Sequence, residues 1–212
     1  MKMNLLENVK KYGIYTLLLS GALLTACSDD DEAPEAENEE EVITDVTLTF
    51  TNTADATDVV TAAAQDPDGA GVQPLEIRDE ITLTSGATYT LELEVLNKLD
   101  PDDPEDIGEE IAEEDDEHQF FFAFTDDAFS DPDGDGNIDD SSGSINYNDE
   151  DENGNPVGLS TTWTAGDALS DGSFRIILQH QPPVDEQPVK TATSGVEVGD
   201  ADFDLDFVLN VQ

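Results

Sequence analysis

The feature that most restricts this chain is a period of two. Phe203, Leu205, Phe207, Leu209 and Val211 are apolar at every second position, with Asp204 and Asp206 among the residues between them. Val46, Leu48 and Phe50 alternate in the same way with Thr47, Thr49 and Thr51. So do Tyr89, Leu91, Leu93 and Val95 with Thr90, Glu92 and Glu94. Successive side chains of a strand point to opposite faces, so such segments have one dry face and one wet face, as in antiparallel sheets. Further strands are expected at 57–64, 74–84, 119–125, 144–150, 157–164, 172–180 and 188–193. Asn153-Gly154 lies between two of these and reads as a hairpin turn, because both residues tolerate positive φ. Trp163 shares parity with Val157 and Leu159, which predicts a core position. Near Pro104, Ile107 and Ile111 lie four apart among acidic residues, which predicts one short helix docked by its isoleucines. The expected fold class is all-β: an antiparallel two-sheet β-sandwich, immunoglobulin-like or similar, of about nine strands with one short acidic helix, over residues 42–212.

The N-terminus has the three zones of an export signal. Lys2, Lys10 and Lys11 are followed by an apolar run from Ile14 to Leu24, too short to span a bilayer, and then by Leu24-Thr25-Ala26-Cys27. That tetrapeptide resembles the lipobox of bacterial lipoproteins. It implies removal of residues 1–26 and lipidation of Cys27, the only cysteine of the chain. The thiol is thereby withdrawn from disulfide, metal and nucleophile chemistry. Residues 27–41 are acidic and hold few apolar groups to bury, which predicts an extended, disordered tether. An acidic run directly after the lipidated cysteine resembles the surface-export signal of Bacteroidota lipoproteins. Ser28 in place of an aspartate suits outer-membrane sorting, so the expected location is the outer membrane, anchored by lipid, on the periplasmic side or at the cell surface.

Charge narrows the partners. The chain carries 52 acidic and 7 basic residues. Removing Glu7, Lys2, Lys10 and Lys11 with the signal leaves 51 against 4, a formal charge of −47. Nucleic acid needs basic patches and is excluded. Cations are attracted, whether as a saline environment or as a bound ligand.

Two constellations carry candidate chemistry. In Asp131-Pro-Asp133-Gly-Asp135-Gly136-Asn137-Ile138-Asp139, oxygen ligands stand at positions 1, 3, 5 and 9, with glycine at 6, isoleucine at 8 and Asn137 as a further candidate ligand. This matches the first part of an EF-type Ca²⁺ loop, although position 12 is Ser142 where a bidentate glutamate belongs. The alternative is a solvated turn, which is also the reading of Asp66-Pro67-Asp68-Gly69. The two histidines form the second constellation. His118 shares parity with Phe120, Phe122 and Phe124, and His180 with Phe174, Ile176 and Leu178. If the two strand ends meet, both imidazoles with Glu114 or Glu117 would suit Zn²⁺ or another transition metal. The ordinary role of such a histidine is a hydrogen-bonded residue at the sheet rim. With two histidines and no free thiol, nucleophilic triads are nearly excluded, and no enzymatic activity is expected.

Several short pieces resemble small Bacteroidota lipoproteins labelled "type 1 periplasmic binding fold superfamily". They are Glu113–His118 running into Gln119-Phe120-Phe121-Phe122, then Asp151–Leu159, then Ile177-Leu178-Gln179-His180-Gln181-Pro182, and a last strand ending Val211-Gln212. The resemblance implies a non-catalytic accessory protein beside an outer-membrane TonB-dependent receptor, in capture of a metal ion or small ligand. The label implies two α/β lobes, whereas the strand pattern predicts an all-β chain. A calcium-stiffened surface or adhesion module is the other function compatible with these features.

Overall fold

A computed structural model describes residues 41–66, 74–185 and 187–212. The expected signal peptide, Cys27, nearly all of the tether and residues 67–69 of the shorter turn lie outside the described residues. Among the described residues the fold is all-β, with eleven strands, one helix and two sheets. The larger sheet runs in the order β3 (Glu76–Ile77), β2 (Val59–Gln65), β1 (Asp45–Asn52), β5 (Thr88–Asn97), β9 (Ser160–Ala165), β8 (Phe129–Asp131). A two-residue strand, β6 (Glu105–Asp106), also pairs with β5. The smaller sheet runs β4 (Ile81–Leu83), β11 (Asp200–Val211), β10 (Leu169–His180), β7 (His118–Phe124). Every pairing is antiparallel except β4 with β11.

The alternating segments bury the faces their pattern predicts. Val46, Leu48 and Phe50 of β1 are fully buried, as are Tyr89, Leu91 and Val95 of β5, and β11 turns Phe203 to Val211 inward at every second residue. Each large side chain buried in this way contributes roughly 1.5–3 kcal/mol. Trp163 is fully buried and meets Phe174 edge-on at 5.1 Å and Phe122 at 5.4 Å. The helix α1 (Ile107–Glu113) docks through Ile107 and Ile111, and Asp106 caps it by accepting from the Glu109 N–H. A helix this short does not stand alone, so the two isoleucines hold it in place.

Four expectations are corrected. Segment 74–84 is two strands in different sheets, because the chain crosses between the layers at 78–80. Segment 144–150 is not a strand. It runs beside β9 through Asn148 N–H to Ser160 O, Thr162 N–H to Asn146 O and the isolated bridge of Tyr147 with Thr161, and a second bridge joins Glu150 to Pro156. Asp149 there accepts from the Gly158 and Ser160 N–H groups, so a polar side chain stands where a ladder partner would. Segment 188–193 is a turn closed by hydrogen bonds between Thr191 and Ser194. Of the expected strand at 157–164 only Ser160 onward is strand, while β8 was not anticipated. Asn153-Gly154 does turn the chain, with positive φ at Gly154 alone, between bridge residues instead of strands. Strand β7 is buried on both faces. Its edge is covered by 135–138, through Phe124 N–H to Asp135 O and Asn137 N–H to Phe122 O, and Phe121 packs with Ile138 and Ile177. Gly136 makes this approach feasible, since a Cβ there would overlap the Phe122 carbonyl.

Lys190 is the buried cation of the described residues. Its ammonium lies 3.7 Å from Asp151 Oδ2, with both side chains shielded from solvent, and donates to the Asp115 carbonyl in the loop after α1. Burial depresses the lysine pKa, against the opposing pull of Asp151 and Asp115. Lys190→Met is expected to cost about 3–5 kcal/mol in urea unfolding, because Asp151 is left buried without its counter-charge. Adding Asp151→Asn should recover most of that loss.

Candidate metal centre

The β7–β10 ladder pairs Phe124 with Phe174, Phe122 with Ile176 and Phe120 with Leu178, and so places His118 directly opposite His180. Side chains opposite one another in an antiparallel pair have Cβ atoms about 5 Å apart. The imidazoles accordingly stack, with centroids 4.3 Å apart and planes 15° from parallel. His118 is fully buried and His180 is 6% exposed. The Gln181 N–H donates to the Glu117 carbonyl, which carries the ladder one step past the histidines and brings Glu117 Oε2 to 3.5 Å from His180 Nε2. Gly199 lies against the His180 carbonyl, where a Cβ would overlap it.

Two groups of ligand atoms lie within 4.8 Å of one another: Glu114, His118 and His180, and separately Glu41, His118 and Asp202. His118 belongs to both. Its Nδ1 stands 3.1 Å from the Glu114 carbonyl oxygen, which only accepts, so Nδ1 carries the hydrogen. The other nitrogen, Nε2, is then free to act as a base or a ligand, and a backbone carbonyl on the far nitrogen is the usual support of a metal-bound imidazole. Nε2 lies 3.3 Å from Glu41 Oε1, close enough for an ion pair but not aligned as a hydrogen bond. Glu41 Oε2 and His180 Nε2 are likewise buried without a hydrogen-bond partner among the described residues. A polar cluster left in this state is costly unless a proton or a cation completes it.

Of the residues expected from sequence, His118, His180 and Glu114 form one group, and Glu117 faces His180. Glu41 and Asp202 were not anticipated. Asp202 is the extra residue of a bulge in β11, where Leu178 pairs with Phe203 and Gln179 with Ala201. Bulges re-aim side chains, and strict alternation would have sent Asp202 to the wet face.

The expected calcium loop is arranged differently from its template. Asn137 is buried. Its Oδ1 accepts from the Phe122 N–H at 2.9 Å, and its Nδ2 donates to the Tyr147 hydroxyl at 2.8 Å. That hydroxyl in turn donates to the Phe120 carbonyl, and burial pushes its pKa up to about 12. Asp131 accepts from Asn146, and Asp133, Asp135 and Asp139 are exposed. Among the described residues, no three of these aspartates offer oxygens within 4.8 Å of one another.

No family model matches this chain, nor does any curated protein or solved structure.

Two predictions follow from this geometry. Asn137→Ala should cost about 1–3 kcal/mol in chemical unfolding, by leaving the Phe122 N–H without its acceptor and removing the donor to the Tyr147 hydroxyl oxygen. For His118, burial pulls the pKa down, but the Glu41 carboxylate, the Glu114 carbonyl and Asp202 outweigh it and hold it above 6.5. The resulting stabilisation is fully present below pH 6.5 and is lost as the pH rises through the raised folded value. In chelator-treated protein, stability should therefore fall across that window, and Glu41→Gln should flatten the fall.

Proposed function

We propose that this chain is a lipid-anchored, non-catalytic accessory protein that binds a divalent transition-metal ion at His118 for an outer-membrane, TonB-dependent uptake system. One observation carries the metal reading. The two histidines of the chain, 62 residues apart, stack at 4.3 Å beside two converging ligand groups, with His118 Nδ1 already held by a carbonyl. Mixed imidazole and carboxylate ligands suit Zn²⁺, Cu²⁺ or Ni²⁺ better than Ca²⁺, which prefers six or more oxygens. The anchor and the receptor partner rest on the lipobox at Cys27 and on the resemblance described above. A formal charge of −45 would raise the local concentration of cations around such a protein.

Parallel rings present their in-plane lone pairs side by side. An ion held by both imidazoles therefore requires one ring to turn about Cβ–Cγ. The group of Glu41, His118 and Asp202 uses one imidazole and carries no such requirement. In calorimetric titration of the full chain, with excess Mg²⁺ occupying the surface carboxylates, Zn²⁺, Cu²⁺ or Ni²⁺ should show saturable binding. His118→Ala should abolish it, and His180→Ala, which removes the ring stacked on His118, should weaken it. Equal binding by wild type and His118→Ala would overturn the reading.

A further inference from the structure

Beside the second ligand group the sandwich opens into a cleft of about 220 Å³. Glu41 and Asp202 are at once members of that group and part of the cleft wall. Leu75 and Phe203 provide apolar surface, and Asp66 and Asp204 add acidic groups. Of these, Asp204 is held by Arg175 through two hydrogen bonds, at 2.7 and 2.6 Å. His118 is fully buried and is not part of the cleft wall, and its Nε2 lies 3.3 Å from Glu41 Oε1.

Three protein ligands of this kind leave a fourth position on a tetrahedral ion, and an open position is what separates an exchangeable site from a closed structural one. Here Glu41 and Asp202 line the cleft and His118 does not. We infer that an ion held by Glu41, His118 and Asp202 exposes its fourth position to this cleft, which admits a small neutral nitrogen ligand such as an imidazole or an unprotonated amine. The inference rests on the metal reading above and specifies what that site takes in addition to the ion. The exchange is a simple displacement: a metal–water bond breaks, a metal–nitrogen bond forms, and the water leaves to solvent. Anionic ligands are disfavoured, because the wall carries carboxylates and the chain a charge of −45. The cleft lies below the usual size of a drug-like pocket, which restricts the ligand to a small molecule or the tip of a larger one.

Co²⁺ serves as a spectroscopic probe, because its visible bands report coordination number and donor type. The full chain is loaded with Co²⁺ and titrated with imidazole, and separately with acetate at matched ionic strength. The expected result is a saturable band shift with imidazole and none with acetate. Glu41→Gln and Asp202→Asn should each lose Co²⁺ affinity on the order of tenfold or more. Leu75→Trp, which fills the cleft, should keep Co²⁺ affinity and lose the imidazole response. Failure of the wild type to bind Co²⁺ sinks the metal reading and this inference together. Binding of Co²⁺ with bands unmoved by imidazole overturns the inference alone. So does an imidazole response that survives Leu75→Trp, or wild-type affinity in both carboxylate variants when His118→Ala has lost it.

Discussion

The pairing of β7 with β10 holds the aromatic core and both histidines in a single register. Its register sets three phenylalanines of β7 against Phe174, Ile176 and Leu178, and that contact anchors the aromatic core around Trp163. The same register leaves the two imidazoles no other place than face to face at the strand ends. A slip of one residue would turn the row of the slipped strand to the other face, its histidine with it, so the core and the candidate site are fixed together. The covering segment 135–138 depends on this edge too, since its backbone hydrogen-bonds to β7 and the Asn137 side chain bonds β7 and Tyr147.

Charge is distributed around this frame very unevenly. The described residues hold four lysines and arginines, and each meets a carboxylate: Arg78 with Glu76, Lys98 with Asp45, Arg175 with Asp204 and Lys190 with Asp151. The first three pairs are solvent-exposed and contribute little. The fourth is buried and ties the turn at 188–194 to the loop that carries Glu114 and Glu117. Beside His118, the carboxylates of Glu41 and Asp202 favour the protonated imidazole, which explains the direction of its pKa.

Much of the fold was legible in the alternation, because a half-buried strand writes both of its faces into the sequence. β1, β5 and β11 lie where the pattern puts them, and the helix follows from the spacing of Ile107 and Ile111. The parity of His118 and His180 was legible as well, but their adjacency was not, since register belongs to two strands that are far apart in the chain. Glu41 could not be told from the acidic residues around it. Segment 144–150 misled for another reason: its backbone bonds to β9 at Asn146 and Asn148 do not extend into a regular strand, and the side chains of Asn146, Asn148 and Asp149 supply further bonds to neighbouring segments.

The bulge at Asp202 also has a genetic side. Leu178 faces Phe203 and Gln179 faces Ala201, so loss of the single codon for Asp202 would leave a continuous ladder with both pairings intact. The core face of β11 from Phe203 onward would keep its phase. A one-residue deletion would thus erase a candidate ligand without disturbing the sandwich, and a one-residue insertion at the same place would create it. On such a scaffold, the capacity to hold an ion could be gained or lost in one mutational step, independently of the fold that carries it.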